Sequence, residues 1–255
     1  MKKMVFFILL FSLAFFVFSD NKEKEKKQPV SIPISAGLAF SYEKIDIKTG
    51  DSAAANSLTA LSGIAEIAVD ISDYLTVGVL AGYNRSTIGS PLNFTTLPLS
   101  VQITDKAANN NGLILGASVK SEPFSWDDFS LSLKASFVNF SQSAREWSIA
   151  LNNADGSLNG KLNFFILKVN AVVNYQGLSN FIIFAGPEFS MISGKYNMDE
   201  TIVDIVGSEE ITIKQKSFLT AVAGITWQGF DFFDLTLSGS YFGRKSIALS
   251  LVHNF

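Results

Sequence analysis

The chain of 255 residues has no cysteine, a single histidine (His253) and six prolines. Without cysteine there is no disulfide framework, no thiolate metal site and no residue on which a lipoprotein could be acylated. One histidine leaves no imidazole cluster for a metal, so no cofactor or metal is expected. Positive charge is also scarce. Twenty Lys and Arg face 23 Asp and Glu, a formal net charge of −3, and the basic stripe that nucleic acid demands is missing. Long apolar runs are absent after residue 19, where nothing approaches the roughly 18 consecutive residues of a membrane-spanning helix. The stretch "GLILGASVKS" has the wrong spacing for a phosphate loop and reads as a strand.

The first 19 residues do have a run of their own. Lys2 and Lys3 precede an apolar stretch, Met4 to Phe18, and Val17 and Ser19 suit a signal-peptidase site before Asp20. The apolar part falls short of the roughly 20 residues that cross a bilayer, and the charged run "DNKEKEKKQP" follows at once. The pattern predicts a cleaved export signal over residues 1–19 and a charged periplasmic segment over 20–28. Removing two lysines leaves 18 positive against 23 negative groups, or −5.

The chain as a whole is rich in apolar residues, at 47%, with 23 phenylalanines and a mean hydropathy of +0.27, and beyond the first 28 residues the apolar positions are ordered. They alternate with period two, the signature of strands. "VSIPISAGLAFSY" puts Val30, Ile32, Ile34, Leu38, Phe40 and Tyr42 on one face and Ser31, Ser35, Gly37 and Ser41 on the other. "LSGIAEIAVDI", "LTVGVLAGYN", "LILGASVK", "FSLSLKASF", "FILKVNAVVNY" and "FIIFAGPEFSM" repeat the arrangement. "FLTAVAGITW", "LTLSGSYF" and the terminal "SIALSLVHNF" complete ten strands. The phase of "FLTAVAGITW" is unclear, so eight strands with a longer loop stay open. In a soluble sandwich the second face carries many charges. Here it is mostly Ser, Gly, Ala, Thr and Asn, which places small polar groups inside and an apolar band outside.

Connections alternate in length. Short ones fall near 72–73, 121–128, 176–180 and 228–234, with "GRKS" at 243–246 as the exception. Long ones cover 46–57, 85–111, 141–161 and 193–216. Two of the long ones read as hairpins, turning at Gly207-Ser208 and at Ala154-Asp155-Gly156. Aromatic residues gather beside the short turns, including Tyr74, Phe124, Trp126, Phe129, Tyr175, Phe181, Trp227, Phe230, Phe232 and Phe233. Phe40, Tyr42, Tyr83, Phe137, Phe189 and Tyr241 mark a second level, as girdles at two bilayer interfaces would. The expected fold is all-β: a transmembrane antiparallel up-and-down β-barrel over 29–255.

The chain thus resembles the bacterial outer-membrane β-barrel superfamily in its small OmpA/OmpX/OmpW-like form. The resemblance rests on the strand pattern and on the final "IALSLVHNF", which looks like the terminal-Phe signature. It implies outer-membrane lipid and the barrel-assembly machinery as partners, with Phe255, Leu251 and Leu249 as the assembly signal. His253 departs from that signature, where an apolar or aromatic residue is more usual.

Inward charges are the remaining candidates. Glu66, Lys134, Lys168 and Glu188 fall in one lumen layer by their distance from the short turns. Asp70 and Lys120 lie nearer the mouth. They are expected to form an ion-pair network that constricts or plugs the lumen. An acidic loop tip, Asp199, Glu200, Asp204, Glu209 and Glu210, is the candidate surface for an extracellular partner. A lone outward histidine argues against an enzyme. Three readings result: a small porin or structural surface protein, a partner-binding barrel acting through its loops, and less favoured an outer-membrane enzyme.

Overall fold

A computed structural model describes residues 33–50, 56–89, 91–99, 101–103, 109–151, 154–202, 204–230 and 233–255. The expected export signal, the charged segment and residues 29–32 of the expected barrel lie outside the described residues. Fourteen strands follow in order: β1 (Ile34–Thr49), β2 (Asn56–Ser72), β3 (Leu75–Ile88), β4 (Leu92–Phe94), β5 (Val101–Ile103), β6 (Asn109–Trp126), β7 (Phe129–Gln142), β8 (Arg145–Leu151), β9 (Ala154–Leu178), β10 (Phe181–Ile202), β11 (Ile205–Gln215), β12 (Leu219–Phe230), β13 (Phe233–Tyr241) and β14 (Arg244–Asn254). Ten of them close a ring in the order β1-β2-β3-β6-β7-β9-β10-β12-β13-β14, each pair antiparallel. The ring shuts where β14 pairs with β1, from Ser35–Asn254 to Ile45–Arg244, and where the Phe255 N–H donates to the Ile34 carbonyl at 2.9 Å.

Period-two sequence becomes two-faced wall. Leu38, Phe40, Ile67, Val79, Leu115, Phe137, Leu237 and Leu249 point outward and are 46–64% exposed. Their neighbours on the inner face are Gly37, Ala39, Ser118, Ser132, Ser136, Ser238 and Ser250. Water would not tolerate so continuous an apolar band, whereas hydrocarbon does. At the turn end, reversals occur at Asp73-Tyr74, Asp127-Asp128 and Ser179-Asn180. Asp127 (φ 49°) and Asn180 (φ 65°) take the left-handed conformation that short polar side chains accept.

Several boundaries differ from expectation. Residues 121–126 are strand, with a register shift between Ser121 and Phe124. The exceptional turn is Phe242-Gly243, with Phe242 at φ 70°, so Arg244 already belongs to β14. Ile202 pairs with Ile205, which puts Gly207 and Ser208 inside β11. Leu151 pairs with Ala154, so Ala154 and Gly156 are strand rather than turn. Thr220, Val222, Gly224 and Thr226 of β12 face inward, and Ala221, Ala223 and Ile225 outward. Both sets are small or apolar, which is why the phase of this strand was illegible.

The largest departure is at the loop end. Along β1 the outward face is apolar up to Tyr42 and then becomes Lys44, Asp46 and Lys48, while Ile45 and Ile47 turn inward and are fully buried. The strands β12, β13 and β14 stop at this height. β11 takes their place and pairs with β1 directly, through Ile47–Gln215, Lys48–Lys214 and Thr49–Ile213. Three strands leave and one enters, so the ring of ten narrows to eight. An eight-stranded barrel is just wide enough for side chains to fill. Here Ile47, Leu58, Ile88, Ile114, Phe140, Leu162, Tyr196 and Ile213 fill it. Burying each such large apolar group contributes about 1.5–3 kcal/mol. The loop end is therefore built like a soluble barrel, and the ten-stranded part is built inside out.

Candidate functional site: the lumen and its seal

From the turn end upward, the lumen changes chemistry by level. A cleft of about 550 Å³ opens at its mouth, lined by Asp128, Gln176, Asn180 and Gln228 among others. Nearby, the Thr76 hydroxyl donates to Asp70 at 2.6 Å, and Lys120 pairs with Glu122 at 2.6 Å, both about half exposed. Above them Lys134 meets Glu66 at 3.4 Å, and the Ser118 hydroxyl also donates to Glu66. This pair retains 40% and 28% of its side-chain exposure, so water screens it.

The next layer is dry. Lys168 Nζ lies 2.6 Å from Glu43 Oε1, and an Arg244 guanidinium nitrogen lies 2.7 Å from Glu188 Oε1. A second Arg244 nitrogen, 4.0 Å from Glu43 Oε2, joins the two pairs. Arg244 and Glu188 keep only 4% and 5% of their side-chain exposure. Two cations and two carboxylates thus compensate one another across β1, β9, β10 and β14. Charges so desolvated must be matched, because an orphan would cost several kcal/mol.

Directly above this layer the inward positions become Ile45, Val138, Ile166 and Ile192, each buried. The described part of the β3–β6 connection, residues 91–99 and 101–103, lies over the top. Its short hairpin, β4 with β5, delivers Leu92, Phe94, Leu97 and Ile103 into the same apolar core. Phe94 packs on Tyr196 at 6.0 Å between ring centroids. Two carboxylates clasp this lid: Glu209 accepts from the Thr96 N–H at 2.7 Å and Glu200 from the Leu99 N–H at 3.0 Å. Burial pushes the Tyr196 phenol up to about 12, against the opposing influence of Arg145. Its hydroxyl has no hydrogen-bond partner among the described residues.

The expected four-residue layer is two groups. Glu66 and Lys134 meet each other, whereas Lys168 and Glu188 belong to the higher layer and are bridged by Glu43 and Arg244. Neither is visible when the outward apolar pattern ends the first strand at Tyr42 and "GRKS" reads as a turn. Carrying the alternation one residue pair further along each strand would have found both. The acidic tip also needs correction. Glu200 is fully buried and Glu209 is engaged by the lid, while Glu210 pairs with Lys195 at 2.7 Å. Asp199 and Asp204 remain exposed. Leu249 and Leu251 lie on the outer face, Phe255 is 75% exposed, and the His253 ring sits between Phe233 (5.0 Å) and Phe255 (4.3 Å).

No described protein family matches the sequence, and no curated relative does. Among solved structures the chain is similar to the translocator domain of the autotransporter NalP from Neisseria meningitidis (10% identity, 100% of this chain and 98% of that one, TM-score 0.42). It is similar also to the outer membrane protease OmpT from Escherichia coli (9%, 91% and 97%, 0.44) and to the outer membrane protein OprG from Pseudomonas aeruginosa (10%, 88% and 95%, 0.41). The fold is an all-β antiparallel barrel whose ring of ten strands narrows to eight. Likeness at this level concerns the fold alone, and the chemistry must come from the chain's own residues. Those residues build a polar mouth, a compensated ion layer and an apolar stopper, in series.

Proposed function

We propose that this protein is a surface barrel of the outer membrane that is closed to solutes and acts through the folded head at its loop end. One observation carries the reading: the ten-stranded wall contracts to eight strands, and the narrowed section is filled by buried apolar side chains beneath a clasped lid. Residues 1–19 direct export and are removed. The turn end and Phe255 then face the periplasm, where the barrel-assembly machinery reads the C-terminal strand, and the head faces outward. Ile205 and Val206, 57% and 73% exposed at the tip of the β10–β11 hairpin, together with Asp204, offer the surface for an extracellular partner. The reading gives the protein no catalytic role, since His253 is packed between two rings on the outer face.

The test is electrical. Purified protein inserted into planar bilayers is expected to give no step conductance. Heat-modifiable migration on a detergent gel verifies that the inserted protein is folded. Sustained open-pore currents from folded wild-type protein would overturn the reading in favour of a porin.

A further inference from the structure

The outer wall of the head is unevenly charged. Three rungs climb the face shared by β1, β14 and β11. Lys44 stands opposite Lys245, Asp46 beside Lys216, and Lys48 opposite Lys214. Lys44, Lys48, Lys214 and Lys245 are exposed. Among the described residues none of the five lysines has an ion-pair partner; Lys245 instead lies over the Tyr241 ring at 5.4 Å. Five lysines against one aspartate is a local excess of four positive charges on a chain that is negative overall. Like charges directly opposite one another in a sheet are destabilising. Two such pairs on one face call for something that compensates them.

Height identifies the compensating group. The rung below Lys44–Lys245 is Tyr42–Ile247, both outward and about half exposed, and below that Phe40–Leu249. Two residues of strand, about 6.6 Å at a tilt of about 40°, lift the lysines about 5 Å above that aromatic level. Ammonium groups there lie where lipid headgroups begin, and their stems run along the apolar surface. The far wall is sparser in cations. At the corresponding outward positions stand Asn139 and Ser141 of β7 and Asn163 of β9, Lys195 of β10 is already paired with Glu210, and Lys161 of β9 faces no second lysine across the strand pair.

We infer that the wall formed by β14, β1 and β11 binds the phosphate groups of a phosphorylated lipid in the outer leaflet, with Lys44 and Lys245 gripping at the interface and Lys48, Lys214 and Lys216 above them. The inference rests on the membrane reading given above. Phosphate oxygens placed between opposed ammonium groups turn two repulsive rungs into attractive ones.

The experiment uses the full barrel in nanodiscs of phosphatidylcholine alone, with diphosphoryl lipid A, or with lipid A stripped of both phosphates. A fourth sample adds inorganic phosphate to the buffer. The readout is the thermal midpoint from gel migration. Diphosphoryl lipid A is expected to raise the wild-type midpoint by several degrees and the other additions to leave it unchanged. The quadruple variant K44Q/K48Q/K214Q/K245Q is expected to lose that rise, yet in phosphatidylcholine alone to be at least as stable as wild type. K161Q, on the opposite wall, keeps the rise. An undiminished rise in the quadruple variant, or an equal rise from dephosphorylated lipid, overturns the inference. An equal rise from inorganic phosphate reassigns the wall to a free anion and overturns it too. Failure of wild-type protein to enter nanodiscs at all would instead count against the membrane reading.

Discussion

Replacing Arg244 with methionine tests the dry ion layer most directly. Methionine keeps much of the side-chain stem and removes the guanidinium, leaving Glu188 with no cation within ion-pair distance among the described residues. Glu43 retains Lys168 at 2.6 Å, so one carboxylate is orphaned and one is not. Both members of the broken pair are at least nine-tenths buried, and breaking a pair so placed costs about 3–5 kcal/mol. Adding Glu188→Gln removes the orphaned charge, so the double variant is expected within about 1–2 kcal/mol of wild type. The half-exposed pair below supplies the contrast, since Lys134→Met is expected to cost only about 0–1 kcal/mol. Urea titration in micelles, with folded and unfolded protein resolved on an unheated gel, gives all the numbers. A loss below about 1 kcal/mol for Arg244→Met, or a double variant no more stable than the single, would refute the argument that the layer is held by mutual compensation.

Other expectations concern the head and the closure of the ring. Tyr196 titrates near 12 in the folded head against an ordinary 10.0, so its neutral form is favoured by folding. That contribution, about 3 kcal/mol, is complete below pH 10 and lost as pH rises from 10 through 12. Tyr196→Phe should abolish the alkaline loss, read as lid proteolysis against pH, while costing little at neutral pH. A methyl group on Gly160 would sit 2.6 Å from the Tyr196 hydroxyl and 2.8 Å from the Trp147 ring. Gly160→Ala should therefore destabilise by about 1–3 kcal/mol, and Tyr196→Phe should relieve part of that in the same urea assay. Deleting Phe255 removes its N–H bond to Ile34 and an exposed ring at the turn end. Surface levels of the truncated chain are expected to fall while the fraction that assembles keeps wild-type heat stability; normal levels would count against an assembly role.

Much of the ten-stranded wall was legible because lipid imposes one rule on it, apolar outside and small or polar inside. Where that rule changes, the reading stopped. Ile45 and Ile47 carry the same alternation as Leu38 and Phe40 but on the opposite face, and a pattern tuned to one phase ends the strand at Tyr42. Arg244 was hidden for a related reason, since "GRK" after an aromatic pair resembles a polar turn, whereas the reversal uses Phe242 at positive φ. Within the lumen, period and parity placed Glu66, Lys134, Lys168 and Glu188 on the inner face. They did not reveal which ones meet, because pairing depends on the offsets between strands that only the closed ring sets. The burial of Glu200 was beyond local reading altogether, for its partner is a backbone N–H about a hundred positions earlier in the chain.

The change from ten strands to eight also makes the narrow ring independent of the last three strands. Every strand of the narrow ring lies within residues 34–215, while β12, β13 and β14 come last. The contacts of Ile47 with Gln215 and of the Lys216 N–H with the Asp46 carbonyl fix how far β1 stands from β10. The opening that the final three strands fill therefore has its width gauged by the seam between β1 and β11, as a finished arch gauges its keystone course. One strand more or fewer in that segment would leave either a gap or a surplus edge, and the narrow ring would have to break to accommodate it.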